Sequence, residues 1–142
     1  MTQLKFAGLA LVAALVGAPV LAASPDTAIG TWRTPSRHGV VDITRCGSSI
    51  CGRLIDSDNI KTNPDLRDVN NKDTGKRDRK LKDLQIVGGF TRGTDAWNGG
   101  TIYNPEDGGT YKATITPAGD TLKLKGCIVW PLCKTQTWTR IR

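Results

Sequence analysis

The chain has one histidine, His38, in the run Pro35-Ser36-Arg37-His38-Gly39. An imidazole works as a general base only within reach of the proton it removes. No Gly-x-Ser-x-Gly elbow or matching nucleophile accompanies it, so esterase-type chemistry lacks its usual signature. His38 reads as an exposed loop residue. The four cysteines are Cys46, Cys51, Cys127 and Cys133. As thiolates they would be nucleophiles or zinc ligands. Their spacings are not Cys-x-x-Cys, and an even number in an exported chain points to disulfides. Of three possible pairings, Cys46–Cys51 and Cys127–Cys133 are expected. Each pair flanks a short loop, 47–50 and 128–132, and residues opposite each other beside such a loop come within disulfide reach.

Carboxylates are the next candidates. Asp65, Asp68, Asn70 and Asp73, followed by Gly75, superficially resemble a calcium loop. The register is wrong for an EF-hand, and no Glu stands at the closing position. Asn and Asp also organise loops by bonding nearby amides. Glu106 and Asp107 read as turn residues, and no two acids pair across a recognisable cleft of the glycosidase kind. The expectation is therefore a non-enzyme, with no catalytic residue, metal or cofactor.

The last strand is more informative. If Thr135, Thr137 and Thr139 face outward with Cys133, then Gln136, Trp138 and Arg140 face inward. A buried arginine needs partners, because an unpaired desolvated charge is costly. Arg140 is expected to bond carbonyls and stack on Trp32 or Trp138, closing one end of a barrel; the competing role is to present donors, with Gln136, to an anionic or carbonyl-bearing ligand in the lumen. Gln136 could close the structure in the same way, or present donors to a ligand; both roles stay open. The ligand-binding candidates are Trp32, Phe90, Tyr111, Gln136, Trp138 and Arg140. Trp97 and Trp130 fall between strands, as rim candidates. They either pack back over the barrel mouths, form a ligand entrance or touch a membrane surface.

These side chains need strands to hold them. Most of the chain alternates with period two: Val41 and Ile43; Ile50, Gly52 and Leu54; Leu84, Ile86, Gly88 and Phe90; Tyr111, Ala113 and Ile115; Leu122, Leu124 and Ile128. Turn chemistry separates them at 98–100, 104–109 and 117–120. With further short strands near Trp32 and Tyr103 and a last one at 134–141, about eight strands result. No segment has a convincing amphipathic helical pattern. The expected fold is all-β: a small closed or nearly closed antiparallel up-and-down barrel. Gly30-Thr31-Trp32 opening the first strand, with Arg140 near the end of the last, resembles the pattern of lipocalin- or calycin-like barrels. Closure removes two exposed edges, and eight strands enclose a lumen that side chains fill or that holds one small ligand.

The segment 56–83 departs from this pattern. It is polar and too long for a hairpin turn. Its second half carries Lys72, Lys76, Arg77, Arg79, Lys80 and Lys82 against Asp73 and Asp78. It reads as a solvated mobile loop or as an anion-binding lid, with Lys76, Arg77, Arg79, Lys80 and Lys82 as contacts for an anionic partner.

Residues 1–22 read as a secretory signal peptide. Lys5 gives a minimal positive region, 6–16 an apolar core too short for a membrane span, and Val20-Leu21-Ala22 a small-residue cleavage site before Ala23, with Ala23-Ser24 a close alternative. Residues 23–142 then form one domain, periplasmic or secreted, with no transmembrane segment. The net charge is +7, and +6 without Lys5. A basic exported protein can lean on anionic lipid or envelope polymer; the low aromatic content argues against nucleic acid.

The chain resembles a family of uncharacterised exported bacterial proteins known as domain of unknown function 2147. The resemblance rests on Ile29-Gly30-Thr31-Trp32-x-Thr34-Pro35, Cys51-Gly52-Arg53-Leu54, Asp68-x-Asn70 with Arg77-x-Arg79-x-Leu81, the block from Gly99 to Tyr111, Leu122-x-Leu124-x-Gly126-Cys127, and Thr135-Gln136-Thr137-Trp138-Thr139-Arg140. It implies a lipocalin-like barrel with ligand binding suspected, and it brings no catalytic residues. Three functions are expected in order: a carrier of a small, partly apolar ligand; an envelope structural or interaction protein using its basic loop on anionic polymer or lipid; and, far behind for want of a recognisable constellation, an enzyme.

Overall fold

The computed structural model describes residues 12–17 and 24–142. The expected cleavage site, Val20-Leu21-Ala22, lies outside them. Among the described residues no helix is long and apolar enough to cross a membrane.

The described strands are β1 (Gly30–Arg33), β2 (Val40–Cys46), β3 (Ser49–Asp56), β4 (Leu84–Gly88), β5 (Thr91–Arg92), β6 (Trp97–Asn104), β7 (Gly109–Ala118), β8 (Thr121–Val129) and β9 (Leu132–Arg140). Each pairs antiparallel with its neighbours. The ladder runs β4-β3-β2-β1-β9-β8-β7-β6-β5, and β4 also pairs with β6. That last pairing, Val87 with Ile102 and Gly88 with Thr101, closes an eight-stranded barrel. The two-residue β5 hangs on β6 outside the ring. The up-and-down barrel expected from alternation is the fold observed.

Parity holds along most strands. Val41 and Ile43, Ile50 and Leu54, Ala113 and Ile115, and Leu122, Leu124 and Trp138 are buried, while the lysines between them are exposed. Two irregularities escaped the pattern. A bulge opposite Gly52 and Arg53 turns Val87 inward beside Ile86. The run Asn98-Gly99-Gly100, expected to be a turn, lies inside β6, where a register shift and a positive φ at Gly99 absorb it. A bulge of this kind lets the strand continue past an unpaired residue. The true turn is 93–96, closed by the Gly93 amide on the Ala96 carbonyl.

The two ends of the barrel differ. At one end a 3-10 turn, Pro25–Ala28, acts as a stopper. The Trp32 indole donates to the Ala28 carbonyl and the Trp97 indole to the Pro25 carbonyl, each at 2.8 Å. Arg140 lies 4.2 Å from the Trp32 ring centre. Its guanidinium donates to the carbonyls of Thr27, Ile29 and Gly119 at 2.5, 3.3 and 3.3 Å. Gly30 makes room: its φ is +146°, and a Cβ there would sit 2.6 Å from Arg140 Nη1. The Cys46–Cys51 disulfide staples the β2–β3 hairpin at this end, and Cys127–Cys133 staples β8–β9 at the other.

Candidate functional site

The end opposite the stopper is open. A cavity of about 670 Å³ runs from it into the barrel. Trp138, Leu124, Val41 and Leu54 form its apolar depth, with Ile102, Tyr111, Gly126 and Gln136 on the walls. Gly126 matters as a missing side chain. A Cβ there would meet nothing closer than Tyr111 Cβ at 3.6 Å, so the wall is recessed at that point. Gln136 accepts the Trp138 indole N–H on Oε1 at 3.2 Å. That fixes the amide, and its Nε2 donates to no protein acceptor among the described residues.

Of the residues singled out from sequence, Tyr111, Gln136 and Trp138 line this cavity. Trp32 and Arg140 do not; they belong to the stopper, as the structural reading of Arg140 anticipated. Phe90 does not line it either. It lies beyond β4, buried against Gly100, where a Cβ would come within 2.3 Å of its ring. Trp97 is corrected as a rim residue: it is fully buried at the start of β6 and bonded to the stopper. The misplaced turn at 98–100 caused that error. Trp130 does stand at the open end, exposed at the β8–β9 tip.

Segment 57–83 folds across one side of the mouth rather than trailing in solvent. It contains a short helix α1 (Asp58–Thr62), capped by the Ser57 hydroxyl accepting from the Ile60 amide at 3.1 Å. Its few apolar residues carry the docking: Ile60 and Leu81 are buried, and Leu66 and Leu81 border the cavity. Arg67 and Lys80 form an isolated bridge.

A polar clasp holds this segment to the barrel. Asp68 is 1% exposed. Its carboxylate accepts from the Tyr103 hydroxyl at 2.5 Å, Asn71 Nδ2 at 2.9 Å and Arg79 Nε at 2.8 Å. Burial opposes the Asp68 charge, but those three hydrogen bonds and the guanidinium outweigh it, so its pKa lies below the ordinary carboxylate value. Tyr103 is pushed up to about 12 by burial and by its bond to the Asp68 carboxylate. Asn70 adds a second clasp, donating to the Pro105 and Glu106 carbonyls at 3.2 and 3.1 Å. This requires glycine at 108: a Cβ there would sit 1.9 Å from the Asn70 carbonyl oxygen, and φ is +70°.

The clasp also disposes of two sequence candidates. Asp65 pairs with Lys80, Asp68 faces inward and Asp73 caps a 3-10 turn, so these acids do not converge as a calcium loop would. Three of the five proposed anion contacts are committed within the fold: Arg79 to Asp68, Lys80 to Asp65, and Arg77 to the Asn71 carbonyl at 2.8 Å.

At the rim the titratable groups are mutually engaged. Glu106 accepts from the Ser36 hydroxyl at 2.8 Å and lies 3.8 Å from Arg37. Asp107 accepts from the Tyr111 hydroxyl and, at 2.7 Å, from the Gly109 amide. The Asp107 bond, with burial and the Asp107 charge, raises the Tyr111 pKa. His38 Nδ1 is 2.8 Å from Asp58 Oδ2, both well exposed.

An eight-stranded barrel with one stoppered end and one open cavity is a lipocalin-like architecture. The chain belongs to the family described as uncharacterized protein conserved in bacteria (DUF2147), which matches residues 30–140. Among solved structures it is similar to protein HP1028 from Helicobacter pylori, described as belonging to the lipocalin family. The two share 20% identity with a TM-score of 0.72, over 86% of this chain and 85% of that one. A comparison with curated proteins finds no match.

Proposed function

We propose that the protein is an exported, non-catalytic carrier that holds one small, partly apolar ligand in its lumen. The observation that carries this reading is the open cavity of about 670 Å³. Its volume falls within the range of small-molecule sites, roughly 300–1,000 Å³. Its chemistry fits an amphipath: apolar side chains in depth, one oriented amide donor on Gln136, and polar groups at the rim. The two carboxylates that line the cavity, Glu106 and Asp107, are held by neighbours, which leaves neither poised as a free base. The two disulfides fit an oxidising compartment. The alternative, binding of anionic polymer through segment 57–83, has weaker support because Arg77, Arg79 and Lys80 are already bonded within the fold.

The test is native mass spectrometry and solvent extraction of the protein purified gently from its own host. One small molecule per barrel is expected. A protein that arrives empty and takes up no amphipathic probe would overturn the reading.

A further inference from the structure

The β8–β9 hairpin ends in a tip that its own barrel does not cover. Ile128, Val129, Trp130 and Leu132 are 72, 57, 75 and 65% exposed. Single exposed apolar residues are ordinary, but four adjoining ones on one tip call for a partner. The tip is stapled at its base by Cys127–Cys133. It is also continuous with the cavity: Ile128, Leu132, Cys133 and Lys134 all border the opening.

The charged side chains of the hairpin itself are of one sign. From Thr121 to Arg142 the chain has no Asp or Glu, and Lys125 and Lys134 flank the tip. Lys125 Nζ lies 5.0 Å from the Trp130 ring centre, and Lys112 pairs beside Cys127 on the outer face. Of the acids at this end, Glu106 and Asp107 are bonded to Ser36 and Tyr111, and Asp58 faces His38. Apolar side chains with an indole, ringed by lysines, match a membrane interface: hydrocarbon below, anionic headgroups around.

We propose that the β8–β9 tip docks on an anionic lipid bilayer and sets the cavity mouth against it. The occupant is a lipid surface rather than another protein, because the lysine collar complements headgroup charge. The consequence for cargo rests on the carrier reading: a ligand would pass between bilayer and lumen without crossing bulk water.

Trp130 is its own reporter. The other three tryptophans, Trp32, Trp97 and Trp138, are fully buried. Vesicles of mixed phosphatidylglycerol and phosphatidylcholine should shift the emission to the blue, and acyl-brominated lipids should quench it. Binding should weaken with salt and on pure phosphatidylcholine. In co-sedimentation, the double variant Trp130→Ser/Leu132→Ser should lose about tenfold or more in vesicle affinity, while Lys76→Gln/Lys82→Gln on the loop changes it little. No blue shift, or loss confined to the loop variant, would overturn the proposal. So would a tip-dependent dimer that ignores vesicles. Failure here with an amphipathic probe still bound in the lumen would leave the carrier reading intact; vesicle binding without probe binding would remove that reading alone.

Discussion

The Tyr103 hydroxyl donates to Asp68 Oδ1 at 2.5 Å, joining β6 to a loop residue 35 positions away in sequence. This bond fixes the side of the cavity mouth that the strands leave open. Removing the charge while keeping the shape tests it. Asp68→Asn should destabilise by about 2 kcal/mol, because it deprives the Arg79 guanidinium and the Tyr103 hydroxyl of a carboxylate acceptor. Hydrogen exchange should rise first in 63–82 and not in β7–β9. Denaturant unfolding and exchange together check it.

The same pair gives the protein a pH signature. Tyr103 has a folded pKa of about 12 against an ordinary value of 10.0. A group whose folded pKa is raised contributes stability that is complete below its unfolded value and lost as pH rises through the folded one. The contribution should therefore fall away between pH 10 and about 12, and Tyr103→Phe should flatten that part of the curve. Asp68 runs the other way. Its folded pKa is lowered, so its contribution is present above the ordinary carboxylate pKa and vanishes as pH falls through the folded value. Melting temperature against pH, for wild type and Tyr103→Phe, reads the alkaline limb.

Arg140 and Trp32 should matter for closure and not for cargo. Arg140→Lys keeps the charge but loses the planar fork that reaches three carbonyls. A loss of about 2 kcal/mol is expected. Probe affinity should stay within twofold, since neither residue lines the cavity. A large loss of affinity with unchanged stability would place Arg140 in the wrong role.

Each disulfide closes a short loop, with partners five and six positions apart. On the chain-entropy argument each stabilises by about 2 kcal/mol. They sit at opposite ends of the barrel, so removing both should be close to additive. Denaturant midpoints of Cys46→Ser/Cys51→Ser, Cys127→Ser/Cys133→Ser and the quadruple variant test this.

The barrel was legible because its strands are buried on one face, and period-two alternation records that directly. Cys46–Cys51 and Cys127–Cys133 were legible because each pair brackets one turn. Trp97 was misplaced because two consecutive glycines look alike in a turn and in a bulge; only pairing with β7 separates them. The clasp was invisible for another reason. Asp68, Asn71 and Arg79 lie close in sequence, but their partner Tyr103 is supplied by the barrel wall. Segment 57–83 looked mobile because it is polar, yet Ile60, Leu66 and Leu81 pack on the core and the Asp68 and Asn70 bonds hold it there. The stopper Pro25–Ala28 carried no periodic signal at all. Its role comes from two carbonyls that happen to face Trp32 and Trp97.

The central claim is that the lumen, and not the surface, holds the ligand. Gly126→Phe tests it most directly. The position has room for a Cβ, lies on an ordinary strand and faces the cavity, so the ring should fill the lumen while the fold is kept. Wild type should bind an environment-sensitive fluorescent fatty acid at one per barrel, and Gly126→Phe should bind it at least about tenfold more weakly at an unchanged melting temperature. Equal affinity in the two proteins, both folded, would contradict the account.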